Sequence, residues 1–227
     1  MNPLFWDRLI NIFKWPIAVL TLLTLPAAIL GFGNCVVGAF DESMTFFWVG
    51  FGCYVALWYS IFCKRIWGSW LSTLEHEFTH AIFAWLTFHR VTDFHTSWSK
   101  GGHIKYVGGE GNWLITISPY FFPLASLLFL TTYLVYPHLF QGYFHLVMGV
   151  VIGFQACSSW REVHRNQPDL KTVGWPFVFC FLPTSNLLVY SWFLGVLQGR
   201  TTSDIWGQFY VDVTAHFKYA YQQILVL

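Results

Sequence analysis

From Pro16 to Phe40 the chain runs without one acidic or basic side chain. A helix needs about 20 mostly apolar residues to cross a bilayer. In lipid every backbone polar group must be satisfied inside the segment, which favours helices. Comparable stretches run roughly from Met44 to Trp67, Trp70 to Phe88, Asn112 to Tyr136, Leu139 to Trp160 and Val173 to Leu197. The expected fold is an all-α integral membrane protein with about six transmembrane helices. Composition agrees: 56% of residues are hydrophobic, 21% aromatic and 10% charged, against about 25% charged in a typical soluble domain. Disordered chains, coiled coils and ordinary cytosolic enzymes are excluded. The first stretch is too long and too poorly terminated for a signal peptide.

Three segments organise the chain. Residues 1–69 hold an N-terminal interfacial helix and two accessory spans, since Leu4, Phe5, Trp6 and Ile10 alternate with Asp7, Arg8 and Lys14. Residues 70–198 hold a third span, a polar loop and three further spans. Residues 199–227 read as a mildly amphipathic surface segment. Between His89 and Gly111 the pattern alternates over 91–98 and 103–107, with turn residues Ser99-Lys100-Gly101-Gly102 between. A short β-hairpin at the membrane edge is expected there. Lysine and arginine divide evenly between the two sides, Lys64 and Arg65 lying on one of them, so they set no orientation. The 89–111 and 161–172 loops share a side. Five cysteines (Cys35, Cys53, Cys63, Cys157, Cys180) sit in apolar stretches with no CxxC pair and read as small buried hydrophobes. A net charge of +1 gives no nucleic-acid signal.

The third span carries Glu75-His76-Glu77-Phe78-Thr79-His80, an HExxH motif in an apolar setting. His76 and His80, at i and i+4, share a helical face and can both reach one Zn²⁺. Glu77 is offset by about 100°. It is poorly placed as a ligand, but can reach a water on the metal and act as general base. Buried charges are costly, about 2.5–3.5 kcal/mol each on insertion scales. A metal is the simplest compensation. Glu75 is expected to face a water-filled opening.

A catalytic zinc keeps three protein ligands. Glu110, Glu162, His164 and Asp169 are candidates for the third. Asp169 is favoured, because Pro168-Asp169 suits a helix start at the head of the sixth span and that loop returns to the side of the motif. A plain helix-start role is the alternative.

A membrane-embedded HExxH, a hairpin-like loop, two spans and then an Asp resemble the site-two-protease family of intramembrane zinc metallopeptidases. The resemblance implies a zinc metalloendopeptidase with one Zn²⁺ per chain, held by His76, His80 and Asp169, with Glu77 catalytic. It implies that Gly101 to Val107 is the substrate-handling β-loop, with His103 and Tyr106 contacting substrate. Asn166-Gln167-Pro168-Asp169-Leu170 is a compressed form of the family's downstream motif and lacks its Gly. The implied partners are the lipid bilayer and a membrane protein with a transmembrane helix. The implied place is the inner membrane of a bacterium, with the site towards the cytosol. Asn186, in a sixth span that also holds Pro176 and Pro183, is a further candidate for holding substrate, against a role as interhelical glue. Ser118-Pro119 and Pro123 break the fourth span and can make room beside the metal.

Two other functions compete. A different membrane zinc peptidase, of the prenyl-protein or heat-shock type, would use a downstream Glu such as Glu162. A non-catalytic metal-binding membrane protein is the other. A di-iron oxidase needs clustered histidines, including an HxxHH box, which the chain lacks.

Overall fold

The computed structural model describes residues 2–62, 69–97, 101–140 and 142–226. Cys63, Lys64, Arg65 and the Ser99-Lys100 turn lie outside the described residues. The chain is mostly helical, with one two-stranded sheet. Helix α1 spans Pro3–Ile12, α2 Lys14–Gly38 and α3 Thr45–Leu57, the last continued by a wide π turn over Trp58–Phe62. Then come α4 (Ser69–Leu86), β1 (Arg90–Ser97) and β2 (Gly101–Val107). Helices α5 (Trp113–Ile117), α6 (Leu124–Val135), α7 (Phe144–Glu162), α8 (Pro168–Val173), α9 (Trp175–Leu197) and α10 (Thr202–Val226) follow.

Among the described residues, three helical segments are long and apolar enough to cross a membrane: Lys14–Gly38, Glu42–Ile61 and Trp175–Leu197. A fourth is reached if Trp113–Tyr120 and Leu124–Val135, bent by 74°, count as one span. Six crossings were expected, and two of those segments fall short. Helix α4 is diluted by its own Glu and His residues. Helix α7 ends in Trp160-Arg161-Glu162 and holds Gln155 and two serines. The bend in the expected fourth span follows Pro119 and Pro123, which interrupt helical hydrogen bonding.

Two compact units emerge. One comprises residues 1–14 and 46–175, the other 15–45 and 176–227. In the second unit, α2 and α9 are joined by Thr184 Oγ1 donating to the Thr21 carbonyl at 2.7 Å. Gln198 Nε2 likewise donates to the Cys35 carbonyl at 2.7 Å. Asn186 Nδ2 donates within α9 to the Leu182 carbonyl at 3.0 Å.

The first unit carries the HExxH motif. Gly50 of α3 and Gly149 of α7 let the two backbones touch, for a Cβ on either would strike the other helix's carbonyl. Helix α4 ends in a Schellman pair: His89 N donates to Ala84 O at 2.8 Å and Phe88 N to Trp85 O at 2.9 Å. Phe88 takes the left-handed position usually given to glycine, with φ of 66°. That turn sends the chain into β1. The hairpin is antiparallel, pairing His95 with His103 and Arg90 with Val107, with a bulge between Val91 and Asp93. Gly101 and Gly102, expected in the turn, belong to β2. Both strands pack on α4.

Helix α1 does more than skim a surface. Asp7 was expected to be a polar residue of an interfacial helix, but is 1% exposed. Its carboxylate accepts from Gly111 N at 2.9 Å and Asn112 Nδ2 at 2.7 Å, and meets His89 Nε2 at 3.1 Å. Asn112 in turn caps α5, its Oδ1 accepting from Ile115 N at 3.1 Å. Cys35 is buried as expected. Cys53 is exposed, and Cys157 and Cys180 are half-buried; all four are free thiols.

Candidate metal centre

Helical spacing brings His76 and His80 onto one face of α4. Their Nε2 atoms stand 3.1 Å apart, and each lies 3.3 Å from Asp169 Oδ2. His76, His80 and Asp169 form the one metal-capable His, Cys, Asp and Glu group among the described residues. The three donors make a nearly equilateral triangle. Ligand atoms on a tetrahedral zinc with bonds of about 2.0–2.1 Å stand about 3.3 Å apart, so the donor set fits that ion. His80 Nδ1 pairs with the Ile115 carbonyl at 2.7 Å. That contact calls for a proton on Nδ1 and leaves a lone pair on Nε2, directed at His76 and Asp169. Two imidazole nitrogens and a carboxylate facing inward at these distances are a donor set able to hold one metal ion.

Asp169 arrives as expected from the sequence, on the first turn of a helix begun by Pro168. It does not head the sixth span, however. It sits on the separate short helix α8, cut from α9 by Gly174 with φ of 94°. Its Oδ2 also accepts from Tyr120 Oη at 3.1 Å. Burial works to raise the Asp169 carboxyl. The hydrogen bonds and charges of His76 and His80 outweigh it and hold the group well below the usual carboxylate range.

The other candidates stand outside this triangle, although Glu162 lines the same cavity. Glu162 accepts from Gln167 Nε2 and, at 3.4 Å, from Ser72 Oγ. His164 is exposed, with Nδ1 accepting from Asn166 N at 3.2 Å. Glu110 is exposed on the segment after β2. Among the described residues, none of these three makes a hydrogen bond or ion pair to His76 or His80.

A cavity of about 800 Å³ opens beside this group. His76, Glu77, His80, His103, Tyr106 and Asp169 line it, with Gly101 and Gly102. Glu77 is 8% exposed. Gly102 lies against its stem, where a Cβ would come 2.6 Å from Glu77 Cγ and 2.9 Å from Thr73 Cγ2. His103 Nε2 meets Asp93 Oδ2 at 3.2 Å, and Lys105 Nζ meets the same oxygen at 3.2 Å. These two contacts hold the exposed Asp93 carboxyl below its ordinary range. The Tyr106 ring stands edge-on to His89, and burial pushes its phenol up.

Three residues of the centre escape sequence reading. Tyr120 looks like an interface aromatic, and its neighbour Pro119 is the only signal. Gly102 looks like turn material. Glu75 was expected to face a water-filled opening. Instead its Oε1 accepts from Ala125 N at 3.1 Å, at the start of α6. Pro123 at that N-cap offers no side-chain acceptor, so Glu75 supplies it from across the unit.

The family model described as Peptidase M50B-like matches residues 51–202, more than half of the chain. The chain belongs to this family, which bears out the resemblance to metallopeptidases of the site-two-protease type. It is an integral membrane protein of a peptidase family whose members are in general zinc-dependent. No curated protein and no solved structure matches it.

Proposed function

We propose that the protein is an intramembrane zinc metalloendopeptidase that hydrolyses peptide bonds of membrane-spanning substrates. The observation that carries this reading is the triangle of His76 Nε2, His80 Nε2 and Asp169 Oδ2 beside the half-open cavity that Glu77 lines. His76, His80 and Asp169 hold one Zn²⁺. When bound, zinc supplies a Lewis acid that polarises the scissile carbonyl and acidifies water. Glu77 takes the proton of the attacking water and returns it to the leaving amine. The Ile115 carbonyl fixes the tautomer of His80, and Tyr120 fixes Asp169. A helical substrate must unwind before its carbonyl is free. The edge of β2, with His103 and Tyr106, holds the unwound segment as an added strand. Asn186 Nδ2 donates to the backbone of its own helix α9. The chain crosses the membrane six times, with α4 and α7 as the polar crossings. Its place is a bacterial inner membrane, with the site towards the cytosol.

Glu77→Gln tests the reading. The variant keeps its zinc and loses cleavage of a transmembrane substrate, whereas His80→Ala loses both. Full cleavage by Glu77→Gln would sink the assignment. A third ligand drawn from Glu162, as in other membrane zinc peptidases, is disfavoured by its engagement with Gln167 and Ser72.

A further inference from the structure

Arg161 is the one arginine or lysine among the described residues that line the cavity. It stands in the last turn of α7, where a cation complements the helix dipole. Its guanidinium carbon sits 5.7 Å from the centroid of the buried Trp58 ring. Those two contacts explain its position, but neither satisfies Nη1. Nη1 is buried and has no hydrogen-bond partner among the described residues. Of the three carboxylates on the cavity wall, Glu77 is the proposed general base and the other two hold other partners. Glu162 holds Gln167 and Ser72, and Asp169 faces His76, His80 and Tyr120. A buried guanidinium nitrogen left unmet is costly, and a guanidinium finds its best partner in a carboxylate, which it can bind through two parallel hydrogen bonds.

We infer that Arg161 is a specificity-determining residue that takes a carboxylate of the bound substrate segment. The cavity then selects peptides carrying an acidic side chain or a free C-terminal carboxylate. The inference rests on the protease reading, and it adds the chemical class of substrate. Arginine suits the task better than lysine, because its planar fork matches a carboxylate and its charge persists at any pH.

The test measures binding rather than turnover. Apolar peptides with an amidated end carry one Asp, Asn or Lys, moved through successive positions. A fourth peptide is neutral, with a free C-terminus. Each carries a fluorophore and is titrated with detergent-solubilised, zinc-supplemented Glu77→Gln protein. At the best position, Asp binds roughly tenfold or more tighter than Asn, the scale of one charge-assisted hydrogen bond. If the chain end is the source, the free C-terminus shows the same gain over its amide. Adding Arg161→Gln brings that ratio to about one, and Arg161→Glu turns the preference towards the Lys peptide. An Asp-to-Asn ratio near one at every position, with no gain from a free end, would overturn the inference. So would a ratio that survives Arg161→Gln. Cleavage of the same peptides by the parent protein reads the protease assignment separately. Failure there leaves the binding ratio as an independent result.

Discussion

Gly102 of the hairpin lies directly over the stem of Glu77: a Cβ at residue 102 would stand 2.6 Å from Glu77 Cγ. The same atom would come 2.9 Å from the His95 carbonyl, a backbone group with little freedom to give way. The carboxylate and the strand beneath it are therefore set against one another. Gly102→Ala is expected to displace Glu77 while leaving His76, His80 and Asp169 in place. Cleavage should fall on the order of 100-fold, the scale of about a 1 Å misplacement, with zinc content unchanged. Parallel elemental analysis and a cleavage assay check this. Loss of zinc together with activity would point to a broader collapse.

Tyr120→Phe keeps the aromatic ring beside His76 and removes only the hydroxyl that holds Asp169 Oδ2. Outer contacts of this kind typically contribute about 10- to 100-fold to metal affinity. The variant should release zinc to a chelator at correspondingly lower concentration. Competition with a fluorescent zinc indicator measures the shift.

Glu75→Ala leaves Ala125 N without its acceptor at the first turn of α6. Loss of such a cap costs about 1 kcal/mol. Glu75→Gln keeps a carbonyl oxygen in reach and should recover most of it. Thermal unfolding in detergent, compared across the three proteins, gives the order parent, Gln, Ala.

Asp7 reaches the centre only indirectly. It holds Asn112, which caps α5, which presents the Ile115 carbonyl to His80. Asp7→Ala strands the Gly111 and Asn112 donors inside the protein. A loss of about 3 kcal/mol is expected, read as a lower unfolding temperature. A surface helix with a solvated Asp7 would show almost none.

The centre was legible where chemistry and spacing coincide. HExxH places two imidazoles on one helical face whatever the surroundings, and Pro168-Asp169 marks a helix start. The structure brings all three side chains together. The alternation over 91–98 and 103–107 likewise predicts the hairpin that forms. What escaped depends on partners far along the chain. Nothing local shows that Glu75 will meet a backbone N–H fifty residues on, or that Asp7 will be enclosed by the 89–112 region. Glycine has no side chain to signal packing, so Gly101 and Gly102 read as a turn, although the smallness of Gly102 is what lets β2 rest on α4. Fewer helices than the six expected crossings qualify by length and composition, because α4 and α7 carry polar groups.

Asp169 closes the proposed three-ligand zinc site. Zinc per chain in purified, detergent-solubilised protein, with Asp169→Ala beside it, tests that directly. About one zinc is expected in the parent, the complement of a single catalytic site, with a marked loss in the variant. Equal zinc in both would contradict it and move the third ligand away from Asp169.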